Sequence, residues 1–169
     1  MTARSAGSNP IARPDLYDFH DLVTSETVLA AVSAGARKGL FAHIASVAEQ
    51  VAGVDAKLVC DRMVDREKLG TTAFGGGIAI PHARIECPRV FGVFVRLDRP
   101  IDFAAVDELP VDLIFALFSP PQAGSEHLKA LARVSRALRD AGFRAKLRGA
   151  GSADALYALL SGVEARDAA

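Results

Sequence analysis

No stretch of the sequence approaches the roughly 20 consecutive apolar residues that a membrane-spanning helix requires. The first ten residues, Met1 to Pro10, also lack the apolar block of a signal peptide. Both absences point to a cytoplasmic protein that inserts in no membrane. Only two cysteines occur, Cys60 and Cys87, in separate segments and without a C-x-x-C spacing. Neither a disulfide framework nor a zinc site is indicated, and reduced thiols are expected. Charge of either sign is not in surplus, since 20 Lys and Arg balance 20 Asp and Glu. Without a positive field there is no global attraction to nucleic acid, and none is expected as a partner. Several catalytic signatures are missing too. There is no G-x-S-x-G, neither cysteine lies in a nucleophile motif, and no P-loop Gly-Lys-Ser/Thr is present.

What is present suits one ordinary globular domain. Apolar residues make up 50% of the 169 positions and charged residues 24%, enough for a proper core. Residues 1–14 are small, polar and proline-punctuated and read as a flexible N-terminal arm; residues 163–169 read as a C-terminal tail, leaving 15–162 as the folded body.

Along that body, an alanine-rich segment capped by Thr24 or Ser25 predicts a helix that pauses at Gly35. Leu40, Phe41, Ile44, Val47, Ala48 and Val51 then fall on one helical face, with Gly53 placed to supply a left-handed cap and His43 off the apolar stripe. A second helix is predicted from Asp55 to Leu69, with Val59, Cys60, Met63 and Val64 inward and Gly70 ending it. Val90 to Leu97 reads as a strand stopped by Asp98-Arg99-Pro100, and Val111 to Phe118 as a central strand covered on both faces. A helix past Gly124 and Ser125 is expected to carry Leu128, Leu131, Val134, Ser135 and Leu138 on one side. A short helix near Phe143 to Leu147 and one opened by Ser152, with Leu156, Leu159 and Leu160 inward, close the chain. Helices before, between and after a few strands give an α/β (α+β) domain with a central mixed β-sheet flanked by helices.

One stretch stands apart from this scaffold: Gly70-Thr71-Thr72-Ala73-Phe74-Gly75-Gly76-Gly77-Ile78-Ala79-Ile80-Pro81-His82-Ala83-Arg84. Its glycines permit positive φ or close backbone approach, and its proline stiffens the chain just before a histidine. Such a mount suits an aimed imidazole, and a tight turn with an incidental histidine is the alternative. Arg66 lies in the last turn of the preceding helix, where a cation suits the helix dipole, and is also placed to lean over the glycines. His127 falls in the first turn of a helix, where unpaired N–H groups favour an anion and disfavour a protonated ring; the alternative is a surface histidine. Metal binding by His82 and His127 lacks a carboxylate or cysteine at a ligand spacing, and no metal or other cofactor is expected. The glycine spacing does not fit a dinucleotide-binding turn. What survives is histidine as a nucleophile toward phosphorus, for which His82, His127, Arg66 and Arg84 supply the parts.

The stretch from Arg66 through Arg84 resembles the phosphorylation-site signature of mannitol/fructose-type IIA domains of the phosphoenolpyruvate-dependent phosphotransferase system. The likeness continues through Pro110 to Phe118 and to Gly124-Ser125-Glu126-His127-Leu128, and spans about residues 20 to 160. It implies a mannitol-type IIA fold and a phosphohistidine intermediate, hence a transferase if such a carrier is counted as an enzyme. It also implies that His82 accepts a phosphoryl group on its tele nitrogen from a histidine-containing phosphocarrier protein. His127 would stabilise that group and Arg66 orient it, with Arg84 a further contributor. Two departures are visible: Gly76 stands where relatives often have asparagine, and Asp107-Glu108-Leu109 replaces a more usual glycine- or asparagine-containing turn, which bears on partner choice. The absence of a recognisable IIB or carrier module leads us to expect a stand-alone unit resembling the nitrogen-regulatory branch, whose partners include sensor kinases and potassium transporters. A sugar-specific IIA component passing phosphate to a IIB domain, or an interaction module that is never phosphorylated, are the alternatives. The glycines are expected to keep the docking face around His82 clear of side chains.

Overall fold

The computed structural model describes residues 17–163. The expected arm at 1–14 lies outside the described residues, as does all but Val163 of the expected tail.

Past the described residues 17–24, a short 3-10 turn, Ser25–Thr27, leads into strand β1, Val28–Val32. The alanine-rich segment predicted to be helical from Thr24 is therefore extended. Thr24 and Thr27 close a local box of hydrogen bonds, after which β1 pairs in parallel with β5, Phe91–Ile101. The helix preference of alanine is worth only a few tenths of a kcal/mol per residue over ordinary neighbours. Ladder bonds and the burial of Val28, which is 2% exposed, outweigh it.

Helix α1 spans Arg37–Ala52 and ends on Gly53 at φ +66°. Helix α2 spans Ala56–Lys68, opened by the Asp55 carboxylate accepting from the Leu58 N–H. Three short strands follow, β2 Ala73–Gly75, β3 Ile78–Ala79 and β4 His82–Arg84, then β5 and β6, Val111–Ser119. β5 runs past the predicted stop at Asp98-Arg99-Pro100. Its register against β6 shifts between Arg96 and Ile101, and Pro100 is exposed there, so no ladder donor is lost. Helices α3 Gly124–Leu138, α4 Ala141–Gly149 and α5 Ala153–Leu160 complete the chain.

The six strands form one mixed sheet in the order β1-β5-β6-β3-β2, with β4 continuing the β3 edge along β6. Alternation along β6 builds two cores. Ile114, Ala116 and Phe118 meet α1 and α2 on one face, while Leu113, Phe115 and Leu117 meet α3, α4 and α5 on the other. A strand covered on both faces reads as one apolar run, which is why this element was clear from sequence. Gly92 on β5 is required by close packing: a Cβ there would lie 2.3 Å from Cε1 of Phe115.

The inward face of α3 differs from the expected one. His127, Ala130, Val134, Ala137 and Leu138 are buried, whereas Leu128 is 64% exposed. The helix is rotated so that its histidine, rather than the adjacent leucine, faces the sheet.

Candidate functional site

The carboxyl ends of β4 and β6, the last turn of α2 and the first turn of α3 meet at one end of the sheet. Pro81 separates β3 from β4, and its carbonyl takes the β6 bond, accepting from the Leu117 N–H at 2.9 Å. The ladder thus survives a residue with no N–H of its own. β4 then lies parallel to β6, with His82 opposite Leu117 and Arg84 opposite Ser119.

The His82 ring is oriented from both ends. Nδ1 lies 2.9 Å from the Ile80 carbonyl oxygen, and since a carbonyl can only accept, Nδ1 carries the hydrogen. Nε2 is left with its lone pair, to which the Nε–H of Arg66 donates at 3.2 Å. Arg66 is itself held by an Nη1 bond to the Gly70 carbonyl at 3.0 Å. Burial pushes the His82 pKa below the ordinary 6.5; the Ile80 carbonyl opposes that shift, the Arg66 charge adds to it and Glu67 opposes it. The net shift favours the neutral imidazole.

His127 lies with its ring centroid 5.7 Å from that of His82. It is only 5% exposed, which removes the surface-histidine alternative, and its Nδ1 is 2.6 Å from the Ser119 hydroxyl. Its pKa is also depressed, first by burial and then by the charges of Arg84 and His82. The direction agrees with the neutral ring expected at a helix start, with burial as its first cause. Arg84 donates to the Pro121 carbonyl at 3.3 Å. The two histidines, Arg62, Arg66, Arg84, Asp65 and Leu69 line a depression of about 500 Å³. Three arginines against one aspartate give it a positive rim, and a neutral nucleophilic nitrogen inside such a rim is suited to receive a phosphoryl group. A larger groove of about 760 Å³ between α1 and α2, lined in part by Arg37, Lys38 and Glu67, contains no histidine. Among the described residues no group of three or more His, Cys, Asp or Glu side chains is gathered to hold a metal ion.

Gly75, Gly76 and Gly77 do not line this depression, contrary to the docking-face role expected of them. Gly76 and Gly77, at φ +69° and +79°, form the two-residue turn between β2 and β3, where positive φ at both central positions favours Asn-Gly or Gly-Gly. Asparagine and glycine are thus equivalent solutions at position 76. The Gly76 N–H donates to the Asp107 carboxylate at 2.9 Å, and Arg148 donates to the Gly76 carbonyl at 2.7 Å. The altered 107–109 turn therefore secures this hairpin, away from the histidines.

Two residues at the site escaped the sequence reading. Glu67, whose side chain is 7% exposed, accepts from the N–H and hydroxyl of Thr72 at 3.0 and 2.7 Å, bracing the turn that leads from α2 to β2. Ser119 contacts His127 from the end of β6. The signal for Glu67 was its place beside Arg66; for Ser119 it was a polar side chain closing an apolar strand.

Comparison with known proteins is consistent with this geometry. Residues 21–163 match the family model described as "Phosphoenolpyruvate-dependent sugar phosphotransferase system, EIIA 2". A nitrogen regulatory protein from Bradyrhizobium diazoefficiens is 45% identical over 142 residues, covering 83% of this chain and 93% of that protein. The crystal structure of the nitrogen regulatory protein IIA-Ntr from Neisseria meningitidis superposes with a TM-score of 0.79 at 31% identity, covering 83% of this chain and 97% of that one. The crystal structure of IIA mannitol from Escherichia coli shares the fold, with a TM-score of 0.69 at 21% identity over 82% of this chain and 98% of that one.

Proposed function

The chain belongs to the EIIA 2 family of the phosphoenolpyruvate-dependent sugar phosphotransferase system, and from that premise we propose that it is a phosphoryl carrier of the nitrogen-related branch. His82 accepts phosphate from a histidine phosphocarrier protein, and the phosphorylation state decides which regulated proteins are bound. The observation that carries this reading is the commitment of Nδ1 of His82 to the Ile80 carbonyl, which leaves Nε2, the tele nitrogen, as nucleophile.

The transfer balances without an outside acid. The Nε2 lone pair of His82 forms the new N–P bond as the carrier's N–P bond breaks and its electron pair returns to the carrier ring. Each ring keeps the hydrogen on its other nitrogen, so His82 becomes a phosphoimidazolium as the carrier's phosphoimidazolium becomes neutral. Arg66 must leave Nε2 as phosphorus approaches, and from there its guanidinium reaches the phosphoryl oxygens as a charge-assisted donor. His127 supplies a second donor, and Arg84 adds positive charge at the rim. In this reading the protein acts in the cytoplasm, and its regulated partners are proteins such as sensor kinases and potassium transporters. The phosphoryl group brings up to about two negative charges and the ring becomes positive, so acceptance changes the site by about one net negative charge, against a rim with three arginines.

Incubating the protein with phosphoenolpyruvate, enzyme I and phosphocarrier, then mapping the acid-labile phosphate, tests the reading. Label on Nε2 of His82 is expected, and label on another residue would sink it. A sugar-specific IIA would use the same side chains, so a IIB domain offered to the phosphorylated protein separates the two: onward transfer marks the transport role. His127→Ala is expected to slow acceptance about a hundredfold without abolishing it, the effect of losing one of several oxyanion donors. Stopped-time phosphorylation assays measure that ratio.

The depressed pKa of His82 makes a further prediction. Protonation removes the nucleophilic lone pair, and a lowered pKa means that this happens at more acidic pH than for a free imidazole. In histidine-ring NMR titrations, both His82 and His127 are expected to titrate with midpoints below 6.5. Acceptance by His82 then persists as pH falls through 6.5 and declines only beneath it.

A further inference from the structure

We propose that Ser119 is a positioning residue for phosphoryl acceptance: its buried hydroxyl donates to Nδ1 of His127 and so holds the tautomer whose Nε2–H is presented to the phosphoryl group. The inference rests on the phosphoacceptor reading of His82 for its consequence, and on the geometry of the Ser119–His127 pair for its substance.

A neutral imidazole has one donor and one acceptor nitrogen, and a hydroxyl can take either part. The 2.6 Å contact between Oγ and Nδ1 therefore admits two arrangements. In the first, Nδ1–H donates to Oγ. The serine hydrogen then needs another acceptor, and among the described residues Ser119 Oγ has no hydrogen-bond partner other than His127. Ser119 is 0% exposed, so water offers no substitute on the surface, and a buried donor left unmade carries its full desolvation cost. That arrangement also directs the Nε2 lone pair of His127 toward incoming phosphoryl oxygens, where it repels them. In the second arrangement the hydroxyl donates to Nδ1. Both atoms are then satisfied, and the hydrogen sits on Nε2, the ring nitrogen turned away from Ser119, on a residue that lines the depression shared with His82.

The backbone supports this assignment. Ser119 is the last residue of β6, paired with Arg84 on β4, and its carbonyl accepts from the Ile85 N–H at 2.9 Å. The strand end is thereby pinned, so Oγ approaches α3 from a fixed point. His127 enters from the first turn of α3 with its ring buried. A serine here acts on the reaction only through the histidine, without touching phosphate.

The test is ¹⁵N NMR of histidine-labelled protein near pH 7.5, combined with phosphorylation rates. In the unaltered chain the His127 nitrogens are expected to report the Nε2–H tautomer. Ser119→Ala should convert His127 to a mixture of tautomers and slow acceptance about tenfold, the factor set by one lost hydrogen bond. Ser119→Thr, which keeps the hydroxyl, should restore both. An Nδ1–H tautomer in the unaltered chain overturns the proposal, and so does a Ser119→Ala protein whose His127 tautomer and rate are unchanged. The tautomer readout needs no carrier and no variant, so it stands even if Ser119→Ala fails to fold. If the unaltered protein takes no phosphate on His82, the phosphoacceptor reading fails, while the tautomer result still decides the Ser119 assignment.

Discussion

His82→Ala is expected to reduce phosphoryl acceptance to background while leaving the fold intact. The loss is complete rather than partial because no second nucleophile stands in the depression. With Ser119 donating to Nδ1 of His127, as proposed above, the His127 Nε2 carries the hydrogen and has no free lone pair, and neither Cys60 nor Cys87 is among the residues around His82. Arg66 and Arg84 have no nucleophilic lone pair. The fold should tolerate the change, since His82 is half-buried at the edge strand β4 and its side-chain bonds go to Arg66 and the Ile80 carbonyl rather than into either core. Acid-labile phosphate per chain after incubation with phosphoenolpyruvate, enzyme I and carrier is the measurement, with circular dichroism as the folding control. Phosphate retained by a folded His82→Ala protein would place the nucleophile elsewhere and end the argument built on β4.

The largest expected effect on stability lies in the sheet, at the contact of Phe115 with Gly92. Phe115 is fully buried and meets Phe19 and Phe94 edge-on at centroid distances of 5.6 and 6.4 Å. Phe115→Ala should cost about 3 to 5 kcal/mol, a large share of the 5 to 15 kcal/mol that usually holds a domain. Gly92→Ala attacks the same contact from the other side. Its new methyl would lie 2.3 Å from the Phe115 ring and 3.2 Å from the Ala116 carbonyl oxygen. Neither neighbour is a flexible tip able to swing aside, so overpacking by about 1 to 3 kcal/mol is expected. In a Phe115→Leu background the same glycine change should cost less, because the ring it strikes has gone. Urea unfolding of the four proteins gives the coupling directly. Equal costs in both backgrounds would show that backbone freedom, rather than the ring, demands glycine at 92.

Much of this architecture was legible because it depends on local pattern. α1 announced itself by one apolar face and Gly53, α5 by the Ser152 cap, and β6 by an unbroken apolar run. Where the reading failed, a distant partner decided the outcome. β1 is extended because β5 lies beside it, and β5 passes Pro100 because the ladder to β6 shifts there. The site divides the same way. His82, Arg66 and His127 were found through the motif that contains them, and the structure brings all three together with Arg84 around one depression. The rotation of α3 was hidden, since Leu128 is the more apolar choice and only the fold shows that His127 takes the inner position. Ser119 and Glu67 matter through partners eight and thirty residues away or through a turn not yet built, which no local pattern reveals. The glycines misled because their positive φ serves a hairpin that Asp107 and Arg148 complete from elsewhere in the chain.

The parallel ladder between β4 and β6 fixes His82 opposite Leu117 and Arg84 opposite Ser119, and under the proposed function this bears on how a signal would leave the molecule. The spacing of His82, Arg84 and Ser119 is set by main-chain bonds within a single sheet, while Arg66 and His127 reach the same depression from α2 and α3. On the proposed carrier role, a phosphoryl group on His82 alters charge and hydration at the surface of a strand that this ladder holds. In that reading, information is written as charge on a surface held by the sheet, and reading it falls to the shape and charge of the partner protein.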